Sequence, residues 1–223
     1  MFPPAEAKLV SIPLKTEGKN IGYIMGAGDK VPEALRQIGY NVTLLSDAQL
    51  SDADLSGFDA IVTGVRAYNT RERLRYVQER LLDYVKNGGT MVVQYNVNGN
   101  TVADQLGPYP FRLSRLRVTD ENAAVKFLAP DDPVLNVPNK ISQADFKDWI
   151  QERGLYFVTD VDPHYRKIFS MHDEGESPLD GSLIVCDYGK GKYVYTSLDF
   201  FRELPAGVPG AFRLFANLIA GKP

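Results

Sequence analysis

The chain has 223 residues, 44% of them hydrophobic, which is enough for one sizeable core and predicts one domain. Its formal net charge is −3, with 25 basic and 28 acidic residues interspersed, so it has neither the basic stripe of a nucleic-acid-binding protein nor a polybasic membrane patch. Cys186 is the single cysteine, which excludes an intramolecular disulfide.

The sequence contains no run of about 18 apolar residues, so it predicts no membrane-spanning helix. We therefore expect a soluble chain with neither a nucleic-acid nor a membrane partner. The compartment stays open, and an extracytoplasmic location as part of a secreted parent protein is compatible with the sequence.

The amino-terminal residues look different from the rest of the chain. Residues 1–19 contain proline and lysine and show weak periodicity, so we expect a lead-in or linker, with an edge strand at 9–14 as the alternative. Residues 20–221 are expected to form a single domain.

The first half of that domain predicts alternating strands and helices. Pro32 suits a first helical turn and Gly39 a helix C-terminus, which together bound one helix. No Asn-Gly or Asp-Gly hairpin turn separates the strands, so parallel crossovers are favoured. The predicted elements are strands at 21–25, 41–45 and 59–64, a helix at 31–39 and a polar connection at 46–57 that has room for one helical turn.

The strongest helical pattern leads into the strand around which the chain is organised. Residues 70–87 place apolar side chains three or four positions apart, with Asn69 as the expected N-cap, Glu72 at the third helical position and Gly88 ending the helix. Thr90 then begins a short run without polar alternation, typical of a buried central strand.

The second half predicts shorter, β-rich segments and a final helix at 209–220 with an apolar face. The glycines around Lys190 predict a hairpin between the last two strands, and 141–150 predicts a helical or irregular insertion. The predicted strands are 111–118, 124–128, 155–158, 167–171, 182–188 and 192–198. The fold class is therefore α/β, a doubly wound, mostly parallel sheet with a β-rich C-terminal half.

Three weaker motifs have plain structural interpretations. The segment Gly26-Ala27-Gly28 follows a strand and precedes a helix, but a lone Gly-x-Gly favours a tight turn without phosphate. Cys186 is predicted in mid-strand as a buried, inert thiol. One further group is typical of turns rather than of a metal site, so we expect no metal and no cofactor: Asp160, Asp162, His164, His172 and Asp173.

The polar residues at predicted strand ends are the candidate ligand-binding set. Open α/β sheets bind ligands at the carboxyl ends of their strands, and planar amides, Arg and Tyr offer directional hydrogen bonds and stacking faces to hydroxyl-rich ligands. The alternative is that these residues are polar only because loops are solvated. The set is Asp29, Arg66, Tyr68, Asn69, Gln94, Tyr95, Asn96, Asn98, Asp199, Arg202 and Glu203.

The order of elements, with Gly88-Gly-Thr-Met-Val-Val-Gln-Tyr-Asn96 and Tyr188-Gly-Lys-Gly-Lys-Tyr-Val-Tyr-Thr-Ser-Leu-Asp199 before the last helix, resembles a class I glutamine amidotransferase-like (flavodoxin-like) domain. The segments 21–29 and 94–96 are similar to the C-terminal domain of large bacterial PIG-L-type N-acetylglucosaminyl deacetylases. The first resemblance covers roughly residues 18 to 220.

The resemblance implies a fold but not the family's chemistry. Amidotransferases carry a Cys in a Gly-x-Cys-x-Gly elbow with a later His and Glu, whereas this elbow has Tyr95 and Asn96 and no His follows Leu198. PIG-L catalytic domains carry His-Pro-Asp-Asp, whereas this chain has Pro130-Asp131-Asp132 preceded by Ala129.

We therefore expect a non-catalytic module that serves as a carbohydrate-related binding or scaffolding domain of a larger deacetylase. Its partners would be a polyhydroxylated or amino-sugar ligand and the catalytic domain of the same parent chain. Two alternatives stay open. One is a hydrolase or transferase that uses the strand-end crevice without a Cys nucleophile, and the other is a structural dimerisation domain.

Overall fold

The computed structural model describes residues 9–221. Its strands are β1 (Asn20–Ile24), β2 (Asn41–Leu44), β3 (Ala60–Thr63), β4 (Thr90–Gln94), β5 (Arg112–Leu113), β6 (Arg117–Val118), β7 (Lys126–Phe127), β8 (Gly154–Leu155), β9 (Val158–Thr159), β10 (Arg166–Lys167), β11 (Phe169–Ser170), β12 (Leu183–Tyr188) and β13 (Gly191–Thr196). Its α-helices are α1 (Val31–Gln37), α2 (Asp47–Asp52), α3 (Ala67–Thr70), α4 (Arg73–Lys86), α5 (Phe200–Glu203) and α6 (Pro209–Ile219), with 3₁₀ helices at Pro133–Leu135 and Gln143–Phe146.

A seven-stranded, mostly parallel sheet forms the centre of this mixed α/β structure. Its strand order is β10-β12-β13-β4-β3-β1-β2. Five strands run parallel to one another: β13, β4, β3, β1 and β2. The strand β12 pairs antiparallel with both β13 and β10. The parallel arrangement predicted from the missing hairpin turns is confirmed, and so is the hairpin between the last two long strands.

The sheet is covered on both faces because successive side chains of a strand point to opposite sides. On β4, Val92 joins the hydrophobic cluster that includes α1 and α6, whereas Met91 and Val93 join the cluster that includes α2 and α4. All five residues of β4 are buried. The run predicted as a buried central strand is therefore confirmed.

Several sequence-based expectations are wrong in detail. Residues 9–14 form no strand, and Leu9 is fully exposed. The long helix begins at Arg73 rather than at 70, and Asn69 does not cap it, because the Asn69 side chain binds the loop after β4 instead. By contrast, the helical turn considered for the polar connection after β2 is present as α2, whose N-terminus is a capping box between Ser46 and Gln49.

The strands between β4 and β12 are shorter than predicted, because each pairs with its partner over two residues only. Each of three two-stranded ladders joins two-residue strands distant in sequence: β5 with β9, β6 with β8, and β7 with β11. The predicted insertion at 141–150 contains the second 3₁₀ helix. These ladders pack loops against one end of the sheet and thereby bring residues 150–157 close to the segment after β13.

Candidate functional site

The loops after β1 and β3 are locked to each other at the carboxyl edge of the sheet. The Ala27 amide donates to the Val65 carbonyl at 2.9 Å, and the Asp29 carboxylate accepts from the Val65 amide at 3.2 Å and from the Tyr23 hydroxyl at 2.7 Å. A Cβ on Gly26 would lie 2.2 Å from the Val65 oxygen, so this close approach requires glycine. Desolvation raises the pKa of Asp29. Asp29 therefore joins two loops.

Three of the predicted ligand residues are buried and bonded within the protein. Asn96 is fully buried: its side-chain oxygen accepts from the Tyr68 amide at 2.9 Å, and its side-chain nitrogen donates to the Gln94 carbonyl at 3.0 Å. Gln94 donates to the Tyr23 hydroxyl, and the Tyr68 hydroxyl donates to Gln78. The expectation that Asn96 lies on the surface is wrong, because the chain turns under the β3 loop directly after β4.

Other members of the set do reach the surface. Arg66 is exposed and has a left-handed backbone with φ 58°, while its amide donates to the Tyr95 carbonyl at 2.8 Å. Asn98 is exposed. The Asn69 side chain accepts from the Val97 amide at 2.9 Å and donates to the Gly99 carbonyl, so it shapes the loop that carries Asn98.

Three aromatic side chains lie together where the central strand ends: Tyr95, which is buried, and the partly exposed Tyr156 and Phe201. Tyr95 stacks on Tyr156 with ring centroids 5.8 Å apart and contacts Phe201 at 5.5 Å. We call these three residues the aromatic cluster. The Arg202 guanidinium lies over Phe201, 4.8 Å from the ring centroid. Burial raises the pKa of Tyr95 to about 12 although Arg66 and Arg202 oppose the rise, so the Tyr95 hydroxyl is a neutral donor.

Tyr156 adopts a backbone conformation that is uncommon for a large side chain. Its φ of 58° lies in the left-handed region, where non-glycine residues usually pay a conformational cost. Tyr156 and Arg66 therefore both flank Tyr95 from left-handed positions. Strain of this kind is often concentrated at ligand sites.

A carboxyl pair is buried beside the aromatic cluster. Asp199, which follows β13, is fully buried, and Glu152 is 6% exposed. Neither Asp199 oxygen accepts a hydrogen bond from a donor group in the described residues, and the ion pair with Arg202 Nε spans 3.3 Å. Desolvation and the neighbouring Glu152 raise the pKa of Asp199 to about 9. Asp199 therefore keeps its proton at neutral pH, and Arg202 also binds Glu152 at 3.1 Å.

A second buried ion group supports the same region from below. Burial raises the pKa of Glu203 to about 7, although its carboxylate accepts the Ile150 amide at 3.1 Å. Arg153 donates to the carbonyls of Ala123 and Phe146, and burial lowers its pKa to about 10. The bond from the Ile150 amide to Glu203 holds the segment 146–153 against α5, the helix that carries Arg202. The Arg153 bonds fix the conformation of the same segment.

Sequence reasoning missed Glu152, Tyr156 and Phe201. Phe201 directly precedes the predicted Arg202 on the short helix α5, so its place beside the site could have been predicted from the sequence. Glu152 and Tyr156 lie in a segment without periodicity, and only the pairing of Gly154 with Leu198 brings them to the sheet edge.

The weaker motifs take ordinary structural roles. Cys186 is buried in the middle of β12, as predicted, and burial raises the pKa of its thiol to about 12. His164 lies 2.6 Å from Asp162, and Asp173 accepts the Thr119 amide at 2.8 Å. Within residues 9–221, His, Cys, Asp and Glu side chains form no group of three suited to a metal ion.

Comparison with solved structures shows the fold. A cytoplasmic protein from Salmonella typhimurium is similar with a TM-score of 0.57 and 15% identity, over 92% of this chain and 100% of that chain. A second cytoplasmic protein from Salmonella typhimurium has a TM-score of 0.56 and 13% identity, over 90% of this chain and 98% of that one. A β-galactosidase from Rahnella sp. has a TM-score of 0.52 and 17% identity, and this chain spans 31% of it.

No protein-family model matches the chain, and no curated protein matches it. In the part of the chain that the structure describes, no helix is both long enough and apolar enough to cross a bilayer.

Proposed function

We propose that this chain is a non-catalytic class I glutamine amidotransferase-like module that binds a polyhydroxylated or amino-sugar ligand at the carboxyl edge of its sheet. In this proposal it is a binding or scaffolding domain of a larger deacetylase. The observation that carries it is the aromatic cluster, which occupies the end of the central strand where an amidotransferase has its nucleophile.

The strand order supports the first part of the proposal. The run β2-β1-β3-β4-β13 has the order of a flavodoxin-like doubly wound sheet, in which ligands bind beyond the carboxyl ends of the strands. The loops after β1 and β3 are closed by Asp29 and Gly26, and the residues that end β4 and β13 are buried. The exposed Arg66 and the partly exposed Tyr156, Phe201 and Arg202 therefore form the open part of this edge.

The side chains at that open part support a carbohydrate ligand. Aromatic rings offer flat faces to the apolar side of a sugar ring, and guanidinium groups donate fixed hydrogen bonds to its hydroxyls. Arg66 is exposed and has no side-chain hydrogen bond to another described residue, so its donors are available to a ligand.

The first prediction concerns Arg66. Arg66→Ala should weaken glucosamine or N-acetylglucosamine binding about tenfold, because a hydrogen bond to a charged donor is worth about 1.5 to 3 kcal/mol. The free energy of unfolding should stay within about 0.5 kcal/mol of the parent, since the side chain is exposed. Isothermal titration calorimetry and urea denaturation measure the two quantities.

A matched control is Arg36→Ala, which removes an exposed arginine in the last turn of α1, away from the carboxyl edge, and should leave binding unchanged. The proposal fails if neither sugar binds the parent protein, or if both arginine variants weaken binding equally. An upstream reading frame continuous with Met1 that encodes a deacetylase would support the modular part separately.

The second prediction is that the protein does not hydrolyse glutamine. Thiolate attack needs a cysteine, a base and an orienting group within hydrogen-bond reach, whereas Cys186 is buried in mid-strand with its pKa raised to about 12. Ammonia release from glutamine should equal the background rate in both the parent protein and Cys186→Ser. Activity that Cys186→Ser abolishes would overturn the non-catalytic assignment.

The carboxyl pair of Glu152 and Asp199 favours a second candidate function, a hydrolase or transferase that uses acid–base chemistry without a thiol. Of two neighbouring carboxyls, one that keeps its proton at neutral pH, as Asp199 does, can act as a general acid and the other as a general base. Both carboxyls are buried and Glu152 binds Arg202, so a role in positioning Arg202 is better supported than a role in catalysis. Turnover of an acetylated amino sugar that Asp199→Asn abolishes without loss of binding would favour the enzyme.

A further inference from the structure

A cavity of about 690 Å³ lies at the opposite edge of the sheet, where the parallel strands begin. We call it the amino-edge cavity. It lies between the C-terminal part of α4 and the loop that joins α2 to β3, with Leu55, Phe58, Tyr84, Gly88 and Gly89 in its lining. Its volume lies within the range of small-molecule sites. Since the proposed sugar site is at the carboxyl edge, this cavity is independent of it.

The aromatic wall of the amino-edge cavity is fixed in place. The Tyr84 hydroxyl donates to the Phe58 carbonyl at 3.0 Å, which joins α4 to the loop before β3. A Cβ on Gly89 would lie 2.2 Å from the Tyr84 ring, so the ring lies directly over the Gly89 backbone. A ligand therefore meets a preformed surface rather than one that it must order.

The charge of the cavity lining favours a cationic ligand. Glu17, Asp54, Asp59 and Asp83 contribute four carboxylates, whereas Arg80 is the cationic side chain in the lining. Asp59 accepts the Lys19 and Asn20 amides, and Asp54 accepts from Ser56. Glu17 and Asp83 are exposed, and their carboxylates make no hydrogen bond to the described residues. They are free to pair with a bound cation.

Arg80 adds a second requirement. One terminal nitrogen donates to the Ala53 carbonyl, whereas the other makes no hydrogen bond to the described residues and is not buried, so it can donate to a ligand in the cavity. The lining thus offers carboxylates to a cation, an unused donor to an oxygen and an aromatic wall to an apolar body.

We propose that the amino-edge cavity binds a small organic cation that also carries a hydrogen-bond acceptor, of which an amino alcohol is the simplest example. The carboxylates of Glu17 and Asp83 pair with the ammonium group, the alkyl part packs on Tyr84 and Phe58, and the hydroxyl oxygen accepts from Arg80. Binding depends on charge and weakens as salt rises, because the carboxylates are solvated.

Three probes of equal length test the charge requirement by NMR titration: aminopentanol, pentanediol and hydroxypentanoate. Aminopentanol should shift the amide resonances of Phe58, Gly88 and Gly89 and saturate. Pentanediol should bind at least about fivefold more weakly because it forms no ion pair, and hydroxypentanoate should not saturate. Equal binding of the cation and the diol, or no shift with aminopentanol, would refute the proposal.

A double variant tests the residues. Glu17→Gln with Asp83→Asn should weaken aminopentanol binding about fivefold or more, through loss of two partly solvated ion pairs. The matched control, Glu79→Gln with Asp104→Asn, removes the same charge from exposed positions outside the cavity and should leave the affinity unchanged. The assignment is wrong if both double variants weaken binding equally or if neither does.

Discussion

Replacing Asp199 with asparagine is expected to remove much of the loss of stability that the protein suffers between about pH 5 and pH 8. In the folded protein the pKa of Asp199 is raised from 3.8 to about 9, first by desolvation and then by the neighbouring Glu152. The folded state therefore holds a proton that the unfolded chain has released. An amide at this position is neutral at every pH and can still donate to Glu152.

The sign of the effect follows from proton linkage. Because the folded pKa is raised, the stabilising contribution is complete below about pH 4 and is lost as pH rises toward 9. One proton corresponds to about 1.4 kcal/mol for each pH unit, so Asp199→Asn should gain as much as about 4 kcal/mol on the parent between pH 5 and pH 8. Glu203, whose pKa is raised to about 7, contributes equally to both proteins and cancels in the difference.

Urea denaturation at fixed pH values measures the free energy of unfolding of both proteins. Glu152→Gln should retain most of the pH dependence, because desolvation, the larger cause of the raised pKa of Asp199, remains in that variant. Asp131→Asn, which changes an exposed carboxyl, should follow the parent curve. A parent protein whose stability rises from pH 5 to pH 8, or parallel curves for the parent and Asp199→Asn, would show that Asp199 does not hold a proton.

The elements with strong local signals could be predicted from the sequence. Helix α4 places Leu74, Val77, Leu81 and Val85 on one face, and all four are buried against the sheet. The central strand β4 follows from two glycines and an unbroken apolar run. In both cases the pattern of buried residues is visible within a short stretch of sequence. It could therefore be predicted without knowledge of the tertiary contacts.

The contacts of the carboxyl edge could not be predicted in the same way, because they join segments distant in sequence. Glu152 and Arg202 are 50 residues apart, and their contact depends on how the short ladders fold the segment before β9 over the sheet. Asn69 has the composition and position of a helix cap, but tertiary structure directs its side chain to the loop after β4. The polar residues in the sequence therefore predicted where the carboxyl edge of the sheet lies. They did not predict which of its side chains are exposed.

Asn96 and Asn98 show this limit most directly, and their alanine variants should behave in opposite ways. They are two positions apart and equally polar, yet Asn96 is fully buried and Asn98 is exposed. Asn96→Ala removes the acceptor of the Tyr68 amide and the donor to the Gln94 carbonyl. Since each buried group left unsatisfied costs about 1 to 3 kcal/mol, Asn96→Ala should destabilise the protein by about 2 to 4 kcal/mol.

Asn98→Ala should change the free energy of unfolding by less than about 0.5 kcal/mol, because no folded contact depends on the Asn98 side chain within the described structure. Asn96→Asp keeps an acceptor for the Tyr68 amide but loses the donor to Gln94, so it should also be destabilised. Urea denaturation at one pH compares all three with the parent. If Asn96→Ala were as stable as Asn98→Ala, the two hydrogen bonds of Asn96 would not support the turn after β4.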